Sequence, residues 1–204
     1  MVEMIDDAVG RILDHLDRTD QRGNTIIVFT SDHGDMMGDH GLMLKGFMHY
    51  RGTLHVPMVI SVPGQNPNRT AALASSIDLG PTLMEICGIQ GYDGIQGYSL
   101  NPLIQDATAS VRESVLIEDD IAPVVASLTP IPAKTRTVIT DTHRYTRNSK
   151  REDQLIDLIV DPDECENQAE TDAGARAMAI ERLTDALIAA DDAARGAPVD
   201  ARYA

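Results

Sequence analysis

The sequence predicts an α/β fold over residues 1–110, followed over residues 111–204 by a small antiparallel sheet with a closing helix. An amphipathic helical pattern over residues 2–18 leads into a short apolar strand. Four short strand patterns, separated by turn signals, follow between residues 114 and 158. Because a helix followed by a buried strand is half of a βαβ unit, we expect the first part to belong to a larger central sheet.

The first predicted helix and the strands after it are defined by their apolar residues. The stripe on the helix consists of Ile5, Val9, Ile12, Leu13 and Leu16. The run Thr25–Phe29 is largely β-branched and too short for a buried helix, so we interpret it as a buried strand of the parallel type. A second buried strand is predicted over Val56–Val62, where a Pro-Gly pair ends the apolar run. The loop between Gly34 and Thr53 is long, and such loops usually carry function.

The rest of the chain is predicted from turn residues and short periodic runs. Leu79–Cys87 has an early proline and a glycine after it, which is typical of a short helix, and we expect Cys87 to be a small core residue. Residues 91–110 are turn-rich, and residues 121–134 contain three prolines and few charges, which predicts an irregular segment. A final helix is expected from about residue 172 to near residue 196, and the tail after it has little reason to be ordered.

Composition narrows the classes of function. With 204 residues, 43% of them hydrophobic, the chain is long enough to bury a core. A formal net charge of -15 and a pI near 4.6 argue against nucleic acid as a partner. No apolar stretch approaches the roughly 18 residues of a membrane span. The two cysteines are far apart and give neither a disulfide framework nor zinc-ribbon spacing.

Asp32 and His33 follow the first predicted strand, at the end where open α/β sheets place their ligands. A carboxylate and a neutral imidazole make half of a divalent metal site. On local chemistry alone, a turn in which the aspartate accepts backbone N–H groups is the commoner explanation of such a pair. Lys45 in the following loop is either a solvated surface lysine or a cation that neutralises an anion beside a metal.

A motif-rich segment follows this strand. Residues 31–42 read Ser-Asp-His-Gly-Asp-Met-Met-Gly-Asp-His-Gly-Leu, and Lys45-Gly46 and His55-Val-Pro-Met-Val-Ile come after them. This segment resembles the metal-and-lysine segment of the sulfatases, which belong to the alkaline phosphatase superfamily. The likeness continues at residues 76–83, 94–100 and 158–164. It implies that residues 1–110 form the C-terminal part of the catalytic α/β domain, within an alkaline-phosphatase-like mixed sheet with flanking helices.

The resemblance also implies roles for four residues. Asp32 and His33 would hold a divalent metal, and Lys45 would contact the sulfate or phosphate group of the substrate. His40 is a further catalytic candidate, since Gly-Asp-His-Gly resembles a stretch that recurs in the family. The weaker candidates, which are more simply explained as hydrogen-bonded loop residues, are Asp35, Asp39, His49 and His55. On family grounds calcium is the first choice of metal, while an imidazole ligand makes manganese or zinc more competitive.

The nucleophile motif of the family does not occur in this sequence. Sulfatases carry a cysteine or serine, matured to formylglycine, in a Cys/Ser-x-Pro-x-Arg motif upstream of this segment, with an earlier acidic pair that ligates the same metal. Cys87, Cys165 and Ser61 all lack that context. We therefore interpret the chain as the C-terminal part of a longer enzyme and expect formylglycine only in the upstream segment. The chain alone is predicted to be inactive.

These observations lead to the hypothesis of a metal-dependent sulfatase that hydrolyses a small anionic sulfate ester. One alternative is a phosphonate monoester or phosphodiester hydrolase of the same superfamily. His33 resembles those enzymes and some sulfatases alike, whereas many sulfatases have asparagine there. The other alternative is a noncatalytic module that binds a metal or an anion. A cytoplasmic location is favoured, with neither nucleic acid nor a membrane as a partner.

Overall fold

The computed structural model describes residues 2–46, 48–129 and 131–194. Its helices are α1 (Val2–Arg18), α2 (Arg51–Leu54), α3 (Leu79–Ile86), α4 (Asn101–Gln105), α5 (Pro123–Leu128) and α6 (Ala173–Ala194). Its strands are β1 (Ile27–Thr30), β2 (Met58–Ser61), β3 (Val115–Asp120), β4 (Lys134–Ile139), β5 (His143–Asn148) and β6 (Asp153–Asp157). Short 3₁₀ turns lie at Arg22–Asn24, Asp39–Gly41 and Ser76–Asp78. None of the helices in the described ranges combines the length and apolar character needed to cross a membrane.

Strands β1 and β2 form a two-stranded antiparallel sheet in which Ile27 pairs with Ser61 and Thr30 with Met58. The prediction of a buried, parallel-type first strand was wrong, because β1 pairs antiparallel and Phe29 and Val59 remain 39% and 57% exposed. The connection explains the direction. Parallel neighbours need a crossover, usually a helix of full length, and the chain between β1 and β2 contains a 3₁₀ turn and the four-residue α2.

The second sheet is an antiparallel meander with the order β3-β4-β5-β6, as the turn signals predicted. Helix α6 covers strands β3 to β5. The buried core between them consists of Val138, Tyr145, Leu155, Ala169 and Leu183. The final helix is therefore held by the apolar face of this sheet. Its predicted end near residue 196 and the tail beyond lie outside the described residues.

Helix α1 has the predicted bounds and one apolar stripe, but none of its residues is buried. Two short helices were missed. Both α4 and α5 have a proline in the first turn, where the absent N–H of proline costs nothing. Residues 91–110 were predicted only as turn-rich, and the prolines of residues 121–134 suggested irregular chain. The prediction of a buried Cys87 was also wrong, because this residue is exposed at the end of α3. The division of the chain near residue 110 stays a prediction.

Candidate functional site

The structure places Asp32 and His33 immediately after β1, which ends at Thr30. Their side chains lie side by side, with Asp32 Oδ2 3.4 Å from His33 Nε2, and the Asp32 carboxylate is 83% exposed. Asp32 Oδ1 accepts the backbone N–H of His33 at 3.0 Å. This hydrogen bond is the main reason why the pKa of Asp32 lies below its ordinary value. The carboxylate is therefore ionised and open to solvent.

The imidazole of His33 is held by both of its nitrogens. Nδ1 lies 2.7 Å from the carbonyl oxygen of Gly34, and Nε2 lies 2.7 Å from Nζ of Lys45. A carbonyl can only accept and an ammonium group can only donate, so Nδ1 carries the proton and Nε2 presents its lone pair. Metal-binding histidines commonly donate their second N–H to a backbone carbonyl in this way. The His33 tautomer thus suits a metal ligand.

Lys45, which contacts His33, lies 12 residues further along the chain. Backbone hydrogen bonds fold the intervening loop, among them Met36 N to Leu44 O and Gly38 N to Leu42 O, and Gly34 N to Thr53 O ties its start to the chain beyond Lys45. Leu44, directly before Lys45, has a φ of 68°, and Met37 and His40 also have positive φ values. Non-glycine residues rarely adopt this region, and such conformations concentrate at functional sites. The loop therefore presents Lys45 in a defined place beside His33.

Gly34 is required for the fold of this loop. A Cβ atom added at Gly34 would lie 2.0 Å from the backbone oxygen of Gly52. The backbone of the segment after β1 thus passes directly against that of α2, which only glycine permits. This close approach positions both the carbonyl that holds His33 and the far end of the loop.

His40 lies at the exposed tip of the loop, where its ring stacks on Tyr50 with a centroid distance of 4.0 Å and an interplanar angle of 20°. Among the described residues, no hydrogen bond or ion pair joins His40 to Asp32, His33 or Lys45. The structure therefore brings Asp32, His33 and Lys45 into direct contact, whereas His40 stacks on the Tyr50 ring. Their roles remain predictions.

The metal-type donors at the site are one carboxylate and one imidazole. Within the described ranges, no group of three or more His, Cys, Asp or Glu side chains is arranged to hold a metal ion. Asp32 and His33 fit a divalent cation as part of a coordination shell, because an ionised carboxylate lies 3.4 Å from the unprotonated Nε2 of the imidazole. The Lys45 ammonium and a cation would compete for that lone pair.

Three of the weaker candidates have hydrogen-bonded side chains. Asp35 accepts the backbone N–H of Met37 at 2.9 Å, and His55 Nδ1 accepts the guanidinium of Arg51 at 3.3 Å. His49 is buried, with Nδ1 2.7 Å from the Thr137 hydroxyl. Asp39 lies beside Gly52. None of the four contacts Lys45 through a hydrogen bond in the part of the chain that the structure describes.

Two residues that support the loop were not predicted from the sequence: Arg144 on β5, and Glu164 in the segment after β6. Glu164 accepts the backbone N–H of Arg51, and the guanidinium of Arg144 lies over the Tyr50 ring. The resemblance extends over residues 158–164, but no local pattern indicates that Glu164 reaches a loop 113 positions away.

Comparison with known proteins identifies the family. Residues 1–89 match the family model described as Sulfatase. Choline-sulfatase from Rhizobium meliloti (strain 1021) is 32% identical over 178 residues, which are 85% of this chain and 32% of that protein. The chain thus spans about a third of the length of this curated relative.

Solved structures share the fold of this chain. The phosphonate monoester hydrolase of Agrobacterium radiobacter superposes with a TM-score of 0.78 at 28% identity, covering 94% of this chain and 40% of that one. A putative sulfatase from Bacteroides thetaiotaomicron VPI-5482 gives a TM-score of 0.79 at 26% identity, covering 98% and 44% of the two chains. The chain belongs to the sulfatase family and shares its alkaline-phosphatase-like α/β fold.

Proposed function

We propose that the full-length protein containing this chain, called the parent protein below, is a metal-dependent hydrolase of small anionic sulfate esters. One observation carries the proposal. Lys45 Nζ lies 2.7 Å and Asp32 Oδ2 lies 3.4 Å from the same atom, His33 Nε2. A cation suited to an anionic substrate and two metal-type donors therefore meet at one point. The 32% identity to a choline-sulfatase supports a sulfate ester as the substrate.

Each of the three side chains has a distinct task in this proposal. Asp32 provides an ionised oxygen and His33 an oriented Nε2 lone pair for a divalent cation, which when bound would polarise the ester and activate the nucleophile. Lys45 is a compact charge on a flexible stem, so its ammonium can turn from His33 to the sulfate oxygens. There it would neutralise the charge that develops on the leaving oxygen. His40, exposed on the Tyr50 ring, would contact the substrate from the loop tip.

Calcium is the metal we propose. Its preference is for oxygen ligands, and Asp32 supplies one that is ionised and exposed. The imidazole of His33 keeps manganese and zinc as the competing choices. Elemental analysis of the purified parent protein decides among the three, and a stoichiometric content of manganese or zinc without calcium would contradict the choice.

A phosphonate monoester hydrolase is the second candidate. It is favoured by the 28% identity and the 94% coverage of this chain in the superposition with the Agrobacterium radiobacter enzyme. Both candidates use the same three residues, so the identity of the transferred group must be measured.

Parallel assays of the parent protein with an aryl sulfate, a phosphonate monoester and a phosphodiester test the proposal. We expect the highest kcat/KM for the aryl sulfate, with loss of turnover after chelation and recovery when metal is restored. A higher kcat/KM for the phosphonate would support the second candidate instead. No turnover of any of the three by the metal-loaded protein would favour a noncatalytic binding module. A cytoplasmic location stays a prediction, which fractionation of cells producing the parent protein tests.

A further inference from the structure

A buried carboxylate of the C-terminal half reaches the site loop. Glu164 is 5% exposed, and its two oxygens have different partners. Oε1 accepts Nε of Arg144 on β5 at 2.5 Å, and Oε2 accepts the backbone N–H of Arg51, at the start of α2, at 2.6 Å. One side chain thus joins the four-stranded sheet to the loop that carries Lys45.

The guanidinium of Arg144 extends this connection to His40. Its central carbon lies 5.0 Å from the centroid of the Tyr50 ring, in a cation–π contact. The same ring stacks on His40 at 4.0 Å. The contacts therefore form a continuous series from Glu164 through Arg144 and Tyr50 to His40.

A second contact anchors the neighbouring residue. His49 Nδ1 lies 2.7 Å from the Thr137 hydroxyl of β4, which lies 2.7 Å from the Thr146 hydroxyl of β5. Arg144 Nη1 donates to that Thr146 hydroxyl at 2.9 Å. His49, Tyr50 and Arg51 are thus three consecutive residues held by the second sheet and by Glu164, in the segment just after Lys45.

The Glu164–Arg144 pair is better explained by positioning than by stability. Both side chains are almost completely buried, at 3% and 1% exposure, and well-packed apolar residues often replace such a pair without loss of stability. Within the described residues, Nη2 of Arg144 is buried without a hydrogen-bond partner. Glu164 also has a φ of 57°, which is unusual for a non-glycine residue. A buried charge pair, an unpaired Nη2 and a strained backbone all cost stability, and such features persist where a site needs a defined geometry.

We propose that Glu164 and Arg144 are positioning residues of the site, which hold Tyr50 and through it fix the His40 ring at the tip of the loop that carries Lys45. His40 is exposed, and its φ of 53° lies in the left-handed region that non-glycine residues rarely adopt. Contacts from other residues are therefore needed to hold this conformation. The kinetic part of the inference rests on the proposed function, whereas the geometric part does not.

The geometric test uses the ring-proton shifts of His40 in the parent protein, labelled selectively on histidine and assigned with His40→Gln. Stacking on Tyr50 shields these protons, so we expect upfield shifts in the wild type and in Tyr50→Phe, which keeps the ring. Tyr50→Leu should lose the shift. Glu164→Gln, which does not touch His40, should move it toward the Tyr50→Leu value. An unchanged His40 shift in folded Glu164→Gln or in Tyr50→Leu would overturn the proposal.

Arg144→Lys carries the same test if Glu164→Gln does not fold, because it keeps the charge but lacks the planar guanidinium.

The kinetic test compares kcat/KM for an aryl sulfate. Tyr50→Leu and Glu164→Gln should lose roughly 10- to 100-fold with metal content unchanged, and Tyr50→Phe should lose less. Equal kcat/KM in Tyr50→Leu and wild type would contradict a role in the reaction. If the wild type has no sulfatase activity, the proposed function fails, and the His40 shifts still decide the positioning.

Discussion

Replacing Asp78 by alanine is expected to lower the free energy of unfolding by about 4 kcal/mol or more. Asp78 is 0% exposed and forms an ion pair with Arg112, whose side chain is 8% exposed. Its Oδ2 accepts the backbone N–H of Ser75 at 2.8 Å, and Oδ1 accepts that of Tyr98 at 2.9 Å. This carboxylate therefore holds the start of α3 against two later segments of the chain.

The magnitude follows from what the substitution leaves behind. Removing one partner of a buried ion pair costs roughly 3–5 kcal/mol, because the other charge stays uncompensated. Each backbone N–H left without an acceptor adds about 1–3 kcal/mol, less where water can enter the space. For a chain of this size, the melting temperature should fall by roughly 10 °C.

Urea unfolding followed by circular dichroism measures the change, with Glu113→Ala as the matched control. Glu113 pairs with Arg182 on the surface, where the two side chains are 79% and 47% exposed. Loss of this exposed pair should change the free energy of unfolding by at most about 1 kcal/mol. If Asp78→Ala also loses less than about 1 kcal/mol, the buried network does not hold the fold as argued.

Three further predictions concern the loop and the metal-type donors. Gly34→Ala should lower the urea midpoint and the activity of the parent protein, because the added Cβ would lie 2.0 Å from the Gly52 oxygen. Gly10→Ala is the control: no atom lies within 4 Å of the added Cβ, so this variant should not destabilise α1. Burial holds the pKa of His49 below its ordinary value of 6.5, against the opposing charge of Asp119. The unfolded chain then binds the proton first, so the free energy of unfolding should fall as the pH drops below about 6.5, and His49→Gln should flatten this slope in urea titrations at several pH values. Asp32→Ala should lower metal content and activity together, and a variant that retains both would show that Asp32 is no ligand.

The elements that the sequence predicted correctly are those with a local signal. The apolar stripe of α1 and the turn residues between β3, β4, β5 and β6 are complete within a few neighbouring positions. The direction of β1 is not local, because a short apolar run has the same composition in parallel and antiparallel sheets. Proline breaks the interior of a helix but fits its first turn, and for this reason the prolines of residues 121–134 suggested irregular chain and α5 was missed.

In the candidate site too, some residues were predicted from the sequence, whereas the contacts between distant residues were not. Asp32 and His33 were noticed because they follow a predicted strand, but their metal role, like the substrate-contact role of Lys45, was predicted from the family resemblance. The tautomer of His33 depends on the Gly34 carbonyl and the Lys45 ammonium, which only the folded loop brings to the ring. Glu164 lies 113 positions from Arg51, and no periodicity connects residues at that separation.

In the proposed function, Lys45 neutralises the transferring group beside a metal held by Asp32 and His33. The most direct test is kcat/KM of the parent protein for an aryl sulfate, compared between wild type and Lys45→Ala, with metal content measured on the same samples. We expect a loss of about 10²-fold or more in kcat/KM with the metal retained, because a single preorganised contact to the transition state is removed. Full activity in Lys45→Ala would show instead that this lysine is an ordinary surface residue with no role in the reaction.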